Sequence, residues 1–268
     1  MAEEYIHGTA PEEQGRLSLL NRLINDRALR EIDVQRGERI VDFGCGLGQL
    51  SRGMARAAGL RLLGIERSAE QLAECARQAA QDGEEHLLEL RQGDATEPPL
   101  RPEELGHFDL AHARFVLEHV RDPPAVVRQM AKAVRAGGRV VLQDDDHDTL
   151  RVWPEPPGFD QLWRAYMRTY DRIGCDPYVG RRLVSLLHEA GLRPRRCTSL
   201  FFGSCAGDAS WGGLLDNLLG ILEGAREAIC ALMAERDYQR ALAAVREWAA
   251  RPEAAFWYGI SYAEGVKP

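Results

Sequence analysis

Residues 41–48 read Val41-Asp42-Phe43-Gly44-Cys45-Gly46-Leu47-Gly48, and the reading of this stretch decides the fold. An apolar run over residues 39–43 breaks on three alternate glycines and enters a segment patterned as a helix near 48–57. A strand that turns on glycines into a helix brings backbone N–H groups and a helix N-terminus close to a ligand. The spacing is G-x-G-x-G, whereas the dinucleotide fingerprint G-x-G-x-x-G wants its third glycine where Gln49 stands. That departure weakens a dinucleotide reading without removing it.

Working outward, short apolar runs alternate with helical patterns as far as about residue 143. Strands are expected near 39–43, 61–65, 86–91, 107–111 and 138–143, and helices near 48–57, 69–81 and 123–135. This alternation is the signature of βαβ units on a parallel sheet. Ala136-Gly137-Gly138 reads as a helix stop and tight turn before the fifth strand. Upstream, Thr9-Ala10-Pro11-Glu12 forms a capping-box pattern for a helix over about 10–31, with Leu17, Leu20 and Ile24 on one face.

Beyond a proline-rich break at 152–158, a helix is expected over 160–173, carrying Trp163, Tyr166 and Tyr170 at three- and four-residue spacing. A helix near 180–190 and strands near 195–202 and 255–262 follow. Residues 211–250 carry an apolar stripe of Leu214, Leu215, Leu218, Leu222, Ile229 and Leu232, then Leu242, Val245 and Trp248. They read as two helices, or one helix broken near Arg236-Asp237.

The composition bounds the function. A chain of 268 residues with 45% hydrophobic and 28% charged residues is ordinary for a globular protein. A formal net charge of −7 argues against non-specific binding to nucleic acid or anionic membrane, and Arg193, Arg195 and Arg196 read as a solvated face. No apolar run approaches a membrane span, and residues 1–30 lack a secretory pattern. Six cysteines without a C-x-x-C pair read as buried thiols in a reducing, cytoplasmic setting, with no structural zinc.

Two further acids extend the argument. Leu63-Gly64-Ile65-Glu66 ends the second strand on a carboxylate suited to the two hydroxyls of an adenosine ribose. Arg91-Gln92-Gly93-Asp94-Ala95 places an acid after the third strand, where it can accept from an adenine amino group or cap a turn.

With these pieces the chain resembles the class I S-adenosylmethionine-dependent methyltransferases, especially those acting on small molecules. The stretches that carry the resemblance are 41–48, Gly64-Ile65-Glu66, Gly93-Asp94-Ala95, 108–119 (Phe108-Asp109-Leu110-Ala111-His112-Ala113-Arg114-Phe115-Val116-Leu117-Glu118-His119) and 134–142. They stand in the family's order and cover residues 5–200. The resemblance implies an α/β, Rossmann-like, doubly wound sheet of seven strands, the last antiparallel, with helical cap inserts. It implies S-adenosylmethionine as cofactor, held by Tyr5, Asp42, Gly44, Gly46, Gln49, Glu66, Arg67, Asp94, Ala95, Ala113 and Arg114. Tyr5 and His7 would close over it. The glycines would hold a zwitterionic methionine tail, with Ala113 and Arg114 at its amino-acid end.

The expected organisation is an N-terminal helical lid (1–35), a core (36–150, 180–205 and 253–268) and substrate-cap inserts (151–179 and 209–252). Methyl transfer is an in-line displacement, so the enzyme's main work is positioning, with a base needed for a hydroxyl or protonated amine. The candidates are His147, whose carboxylate neighbours would raise its pKa, and His112 at the end of the fourth strand. His119 reads as a helix-packing residue. Asp144-Asp145-Asp146 cannot all face one metal ion, because strand side chains alternate. Trp163, Tyr166 and Tyr170 are either core or an acceptor cage, and the 211–250 helices either a cap or a homodimer face. A small-molecule acceptor with an oxygen, nitrogen or carbon nucleophile is expected. A nicotinamide-dependent reductase and a non-catalytic S-adenosylmethionine-binding protein are the rival readings.

Overall fold

Every residue of Ile40-Val41-Asp42-Phe43 is buried, as a central parallel strand covered on both faces requires. The computed structural model describes residues 24–268. In chain order these are α1 (24–32), β1 (Ile40–Phe43), α2 (Gln49–Ala58), β2 (Leu62–Glu66), α3 (Ala69–Gln81), β3 (Leu88–Gln92), β4 (Phe108–Arg114), α4 (Pro123–Ala133) and β5 (Val134–Asp145). There follow β6 (Arg151–Trp153), α5 (Phe159–Arg168), α6 (Leu183–Glu189), β7 (Arg193–Cys205), α7 (Trp211–Gly224), α8 (Arg226–Cys230), α9 (Glu235–Ala249) and β8 (Ala255–Val266).

The sheet runs β3-β2-β1-β4-β5-β8, with β7 on the far side of β8 and the short β6 against the start of β8. β1 to β5 pair parallel, while β8 lies antiparallel to both β5 and β7. This is the expected doubly wound sheet with its last strand reversed. β6 is an addition that the proline-rich reading of 152–158 did not anticipate.

Strand parity divides the core. Val41, Phe43, Ala111, Ala113, Val140 and Leu142 pack with α4 and α6. Ile40, Leu62, Leu110 and Val141 pack on the other face with α1, α2 and Cys75 of α3. Because successive side chains alternate, Asp42, His112, Arg114, Glu66 and Asp145 all fall on this second face, in register across neighbouring strands.

Local signals explain the element ends. Ser68 caps α3 by accepting from the Gln71 N–H at 3.1 Å, and Asp122 caps α4 ahead of Pro123. α4 stops at Ala133, two residues before the expected end, because the chain from Val134 onward is already paired with β4.

The third cluster is the cap. α5, α7, α8 and α9 bury Trp163, Tyr166, Leu218, Tyr238 and Trp248 together and fasten to the sheet through Val152 and Phe256. The chain between α7 and α9 breaks at 225 and at 231–234, not at Arg236-Asp237, and forms α8 as a separate short helix. Leu232 falls in the second break and is exposed, so it leaves the expected stripe. Of the six cysteines expected to be buried only Cys75 is; Cys45, Cys175 and Cys230 are half-buried, and Cys197 and Cys205 are exposed on β7. Tyr5, His7 and most of the expected lid and first helix lie outside the described residues.

Candidate active site

The glycine loop is a turn tied to β2. Gly44, Gly46 and Gly48 have φ of 71°, 53° and 68°, the left-handed region that favours glycine. The N–H groups of Gly44 and Cys45 donate to the Ile65 carbonyl at 2.8 and 3.0 Å, and that of Gly48 to the Cys45 carbonyl at 2.9 Å. The Gly46 N–H donates to Glu66 Oε2 at 3.1 Å. The N–H groups of these glycines therefore shape the loop, which corrects the expectation that they face a ligand. Space is the second constraint: a Cβ on Gly44 would stand 2.4 Å from Val116 Cγ2, and one on Gly48 2.3 Å from Cys75 Sγ.

Above this loop a cleft of about 1180 Å³, open mouth included, crosses the carboxyl ends of β3, β2, β1 and β4. Ligands bind at this edge of open α/β sheets. Glu66 accepts from Gly46 and, through Oε1, from the Ser68 N–H at 2.9 Å. Burial raises its pKa, against the pull of those N–H groups. A carboxylate has about four acceptor sites, so both oxygens keep capacity for a diol. Asp94 spends one oxygen on a turn, accepting from the Thr96 N–H at 2.7 Å and hydroxyl at 2.6 Å. It serves the turn and lines the cleft at once.

On β4, His112 is buried with Nδ1 2.8 Å from Asp42 Oδ1, and Asp42 Oδ2 accepts from the Ser51 hydroxyl at 2.5 Å. Asp42 thus ties His112 to Ser51 of α2. Arg114 donates to Asn25 Oδ1 at 2.8 Å, and burial draws its pKa down to about 10. Gln49, Arg67 and Ala95 line the cleft as well. Ala113 does not: the alternation of β4 turns its side chain into the α4 core, next to Phe43 and Leu142.

A second cavity of about 830 Å³ adjoins the first, and Phe115 and His119 line both. Phe115 sits at φ 56°, a strained value for a non-glycine residue. The cavity wall is mostly apolar, from Leu150, Phe202, Leu214, Leu218, Ile221 and Phe256. Its polar side is one connected network. His147 Nε2 lies 2.9 Å from Glu118 Oε2 and 3.2 Å from the Tyr170 hydroxyl, which itself donates to Glu118 at 3.0 Å. His147 Nδ1 lies 3.1 Å from the Tyr258 hydroxyl. His119 Nε2 is 3.4 Å from the other Glu118 oxygen.

Electrostatics follow from this geometry. Burial pushes the Glu118 carboxyl up, but His119 and His147 outweigh it and hold Glu118 below the usual carboxylate range. Burial pushes His147 down, but Glu118, with Asp145 and Asp146, carries it above the usual imidazole value. Burial, with Asp145 and Glu118, raises Tyr258, which stays protonated.

The three consecutive acids have separate fates, as alternation requires. Asp144 accepts from the Val116 and Leu117 N–H groups at 3.1 and 2.8 Å. Asp146 is gripped by Arg181 through two bonds of 2.7 Å. Only Asp145 lines the cavity. Glu118, Asp145 and His147 each bring one ligand atom within 4.8 Å of the others, a spacing that also suits a cation. The pairing of His147 with Glu118 and Tyr258 is nonetheless that of a proton network.

Of the expected catalytic pair, His147 stands in the second cavity and His112 in the first. Trp163, Tyr166 and Tyr170 line the second cavity and enclose the His147 ring, at centroid distances of 5.7, 5.5 and 5.5 Å. Sequence reasoning missed Glu118 and Tyr258 and took His119 for packing. The i, i+1 pair Glu118-His119 just beyond a strand end was the available signal for two of these.

The fold and its cleft define a class I nucleoside-cofactor enzyme architecture. The methyltransferase-domain family matches residues 14–196, and the chain belongs to that family. Membership in a methyltransferase-domain family weighs against the reductase reading. It is 32% identical over 171 residues to an uncharacterised 37.1 kDa protein in transposon TN4556 of Streptomyces fradiae, a match covering 61% of this chain and 46% of that one. It therefore spans less than half the length of that relative. It is 27% identical over 237 residues to 27-O-demethylrifamycin SV methyltransferase of Amycolatopsis mediterranei (strain S699), covering 87% of this chain and 81% of the relative. Geranyl diphosphate C-methyltransferase from Streptomyces coelicolor A3(2), solved with Mg²⁺, geranyl diphosphate and S-adenosyl-L-homocysteine, shares the fold. Its TM-score is 0.56 at 17% identity, covering 99% of this chain and 89% of that one. Among the described residues no helix is long and apolar enough to cross a membrane.

Proposed function

We propose that this protein methylates a hydroxyl group on a small, largely apolar acceptor held in the second cavity, with His147 taking the proton. The observation that carries the reading is the junction at Phe115 and His119 of two cavities with different linings. One is lined by carboxylates and loop backbone, the other by aromatic side chains around a single buried His–Glu pair.

The first cavity fits the methyl donor. Asp94, Glu66 and Arg114 stand in order across the strand ends, and the buried Nε2 of His112 is without a partner among the described residues. These residues, with Gly44, Gly46, Gln49, Arg67 and Ala95, would hold S-adenosylmethionine, which when bound supplies a methyl group on a cationic sulfur. The organisation proposed is a core over 36–150, 180–205 and 253–268, capped by 151–179 and 209–252. The cap buries the acceptor among Trp163, Tyr166 and Tyr170 and keeps water out. Apolar walls disfavour a charged acceptor, whose desolvation they do not repay.

The chain's own residues account for the proton. Above its raised pKa the ring is neutral, and then Nε2–H donates to Glu118 and Nδ1 accepts from the Tyr258 hydroxyl. Tyr258 lines the cavity, so it can take the acceptor's hydroxyl proton while passing its own to Nδ1. The resulting imidazolium is stabilised by Glu118. Such a proton transfer contributes roughly 10²–10⁴-fold to rate.

The test is calorimetric titration with S-adenosylhomocysteine on the native protein and on Glu66→Ala, followed by a screen of phenols and hydroxylated apolar compounds for methylated product. Binding lost in the variant, with O-methyl product from a neutral acceptor, supports the reading. Binding without turnover on any acceptor favours the non-catalytic alternative, and methylation only of charged amines removes the role given to His147.

A further inference from the structure

Building on the methyl-donor reading above, we infer that His112 is a cofactor-binding residue: its Nε2 accepts the ammonium group of the methionine part of the donor. Three observations lead there. The imidazole is 1% exposed, and among the described residues Nε2 has no hydrogen-bond partner. Buried polar nitrogens are nearly always paired, because an unpaired one keeps its full desolvation penalty. Nε2 is therefore reserved for something that binds.

The tautomer is set by its neighbour. Asp42 Oδ1 stands 2.8 Å from Nδ1, and Asp42 Oδ2 is anchored by the Ser51 hydroxyl. A carboxylate only accepts, so Nδ1 carries the hydrogen and the neutral ring presents a lone pair at Nε2. The group it receives must be a donor, and a cation gains most because charge-assisted bonds are the stronger ones.

Position selects which donor. Along the cleft the strand order is β3, β2, β1, β4, with Asp94 and Glu66 at the nucleoside end. The far end lies over β4, where His112 and Arg114 are two residues apart and so share a face. An α-amino acid presents an ammonium and a carboxylate on one carbon. An acceptor nitrogen beside a guanidinium matches that pair. His112 does not line the acceptor cavity, so the ammonium, not the methyl acceptor, is the group within its reach. Asp42 beneath the ring and Glu66 across the loop add negative charge around the same spot.

The test compares two ligands. S-adenosylhomocysteine carries the amino-acid tail, and 5′-methylthioadenosine keeps the adenosine and sulfur without it. Both are titrated calorimetrically into the full chain and into His112→Asn, which keeps a donor for Asp42 but has no acceptor at the Nε2 position. Asp42→Asn is the second variant, because an asparagine amide can donate to Nδ1 and force the hydrogen onto Nε2. Both variants are expected to lose about 10- to 100-fold in affinity for S-adenosylhomocysteine, the equivalent of one charged hydrogen bond, and to bind methylthioadenosine as the native protein does. Unchanged methylthioadenosine binding also shows that the variant cleft is folded. Equal losses for both ligands, or none for S-adenosylhomocysteine, would overturn the assignment. A native protein that binds neither ligand would instead overturn the methyl-donor reading beneath it.

Discussion

Replacing Glu118 with glutamine tests the proton network at its centre. The substitution keeps volume and removes the charge that His147 at 2.9 Å and Tyr170 at 3.0 Å both address. A hydrogen bond to a charged group is worth about 1.5–3 kcal/mol and a neutral one about 0.5–1.5, so each loses roughly 1 kcal/mol. Two direct bonds and the more distant His119 give a loss of about 2–3 kcal/mol. For a chain of this size that corresponds to a fall in Tm of roughly 4–12 °C. The sign of the pH dependence follows from the shifts. Glu118 is lowered in the folded state, so its contribution is present above the usual carboxylate range and fades as pH falls through its own depressed value. His147 is raised, so its contribution is full below the usual imidazole value and fades as pH rises through the elevated one. The Tm difference between native protein and Glu118→Gln is therefore greatest between these limits and shrinks in alkali. Thermal unfolding followed by circular dichroism from acid to alkaline pH measures it, and NMR titration of His147 should show a lower pKa in the variant. A difference that does not vary between mildly acid and alkaline pH would mean that His147 does not change charge over that range, and the reasoning from its pairing with Glu118 would fail.

Other substitutions probe the loop and the sheet. Gly44→Ala forces a left-handed φ of 71° and a Cβ 2.4 Å from Val116, and should cost at least the roughly 1–2 kcal/mol of the left-handed region and abolish S-adenosylhomocysteine binding by calorimetry. Gly46→Ala meets only the flexible end of Gln71 at 3.2 Å, so its fall in Tm should be clearly smaller; equal losses would show that space is not what the loop demands. Gln143 is fully buried and, among the described residues, both its side-chain polar atoms are unpaired, so Gln143→Met should stabilise the fold by about 1–3 kcal/mol and raise Tm. A lower Tm in the free protein would contradict that expectation.

The sheet was legible in the sequence because its signals are local. Apolar runs of four to seven residues and glycines at strand ends act within a few positions of themselves. The carboxylates Glu66 and Asp94 were legible for the same reason, since each follows directly on its own strand. The additional strand β6 was not, because three residues broken by proline carry no periodicity and gain their structure only from β8.

What the sequence determined by itself was the family, the order of the elements and the end of the sheet where chemistry gathers. Tertiary structure decided the allocation of side chains. Strand parity sent Ala113 into the core while leaving His112 and Arg114 in the cleft, and it divided Asp144, Asp145 and Asp146 among a turn, a cavity and Arg181. The His147 network joins residues 118, 147, 170 and 258, brought together from four separate parts of the chain. No local pattern encodes that meeting, because it depends on β8 folding back beside β5 and on the cap closing over both.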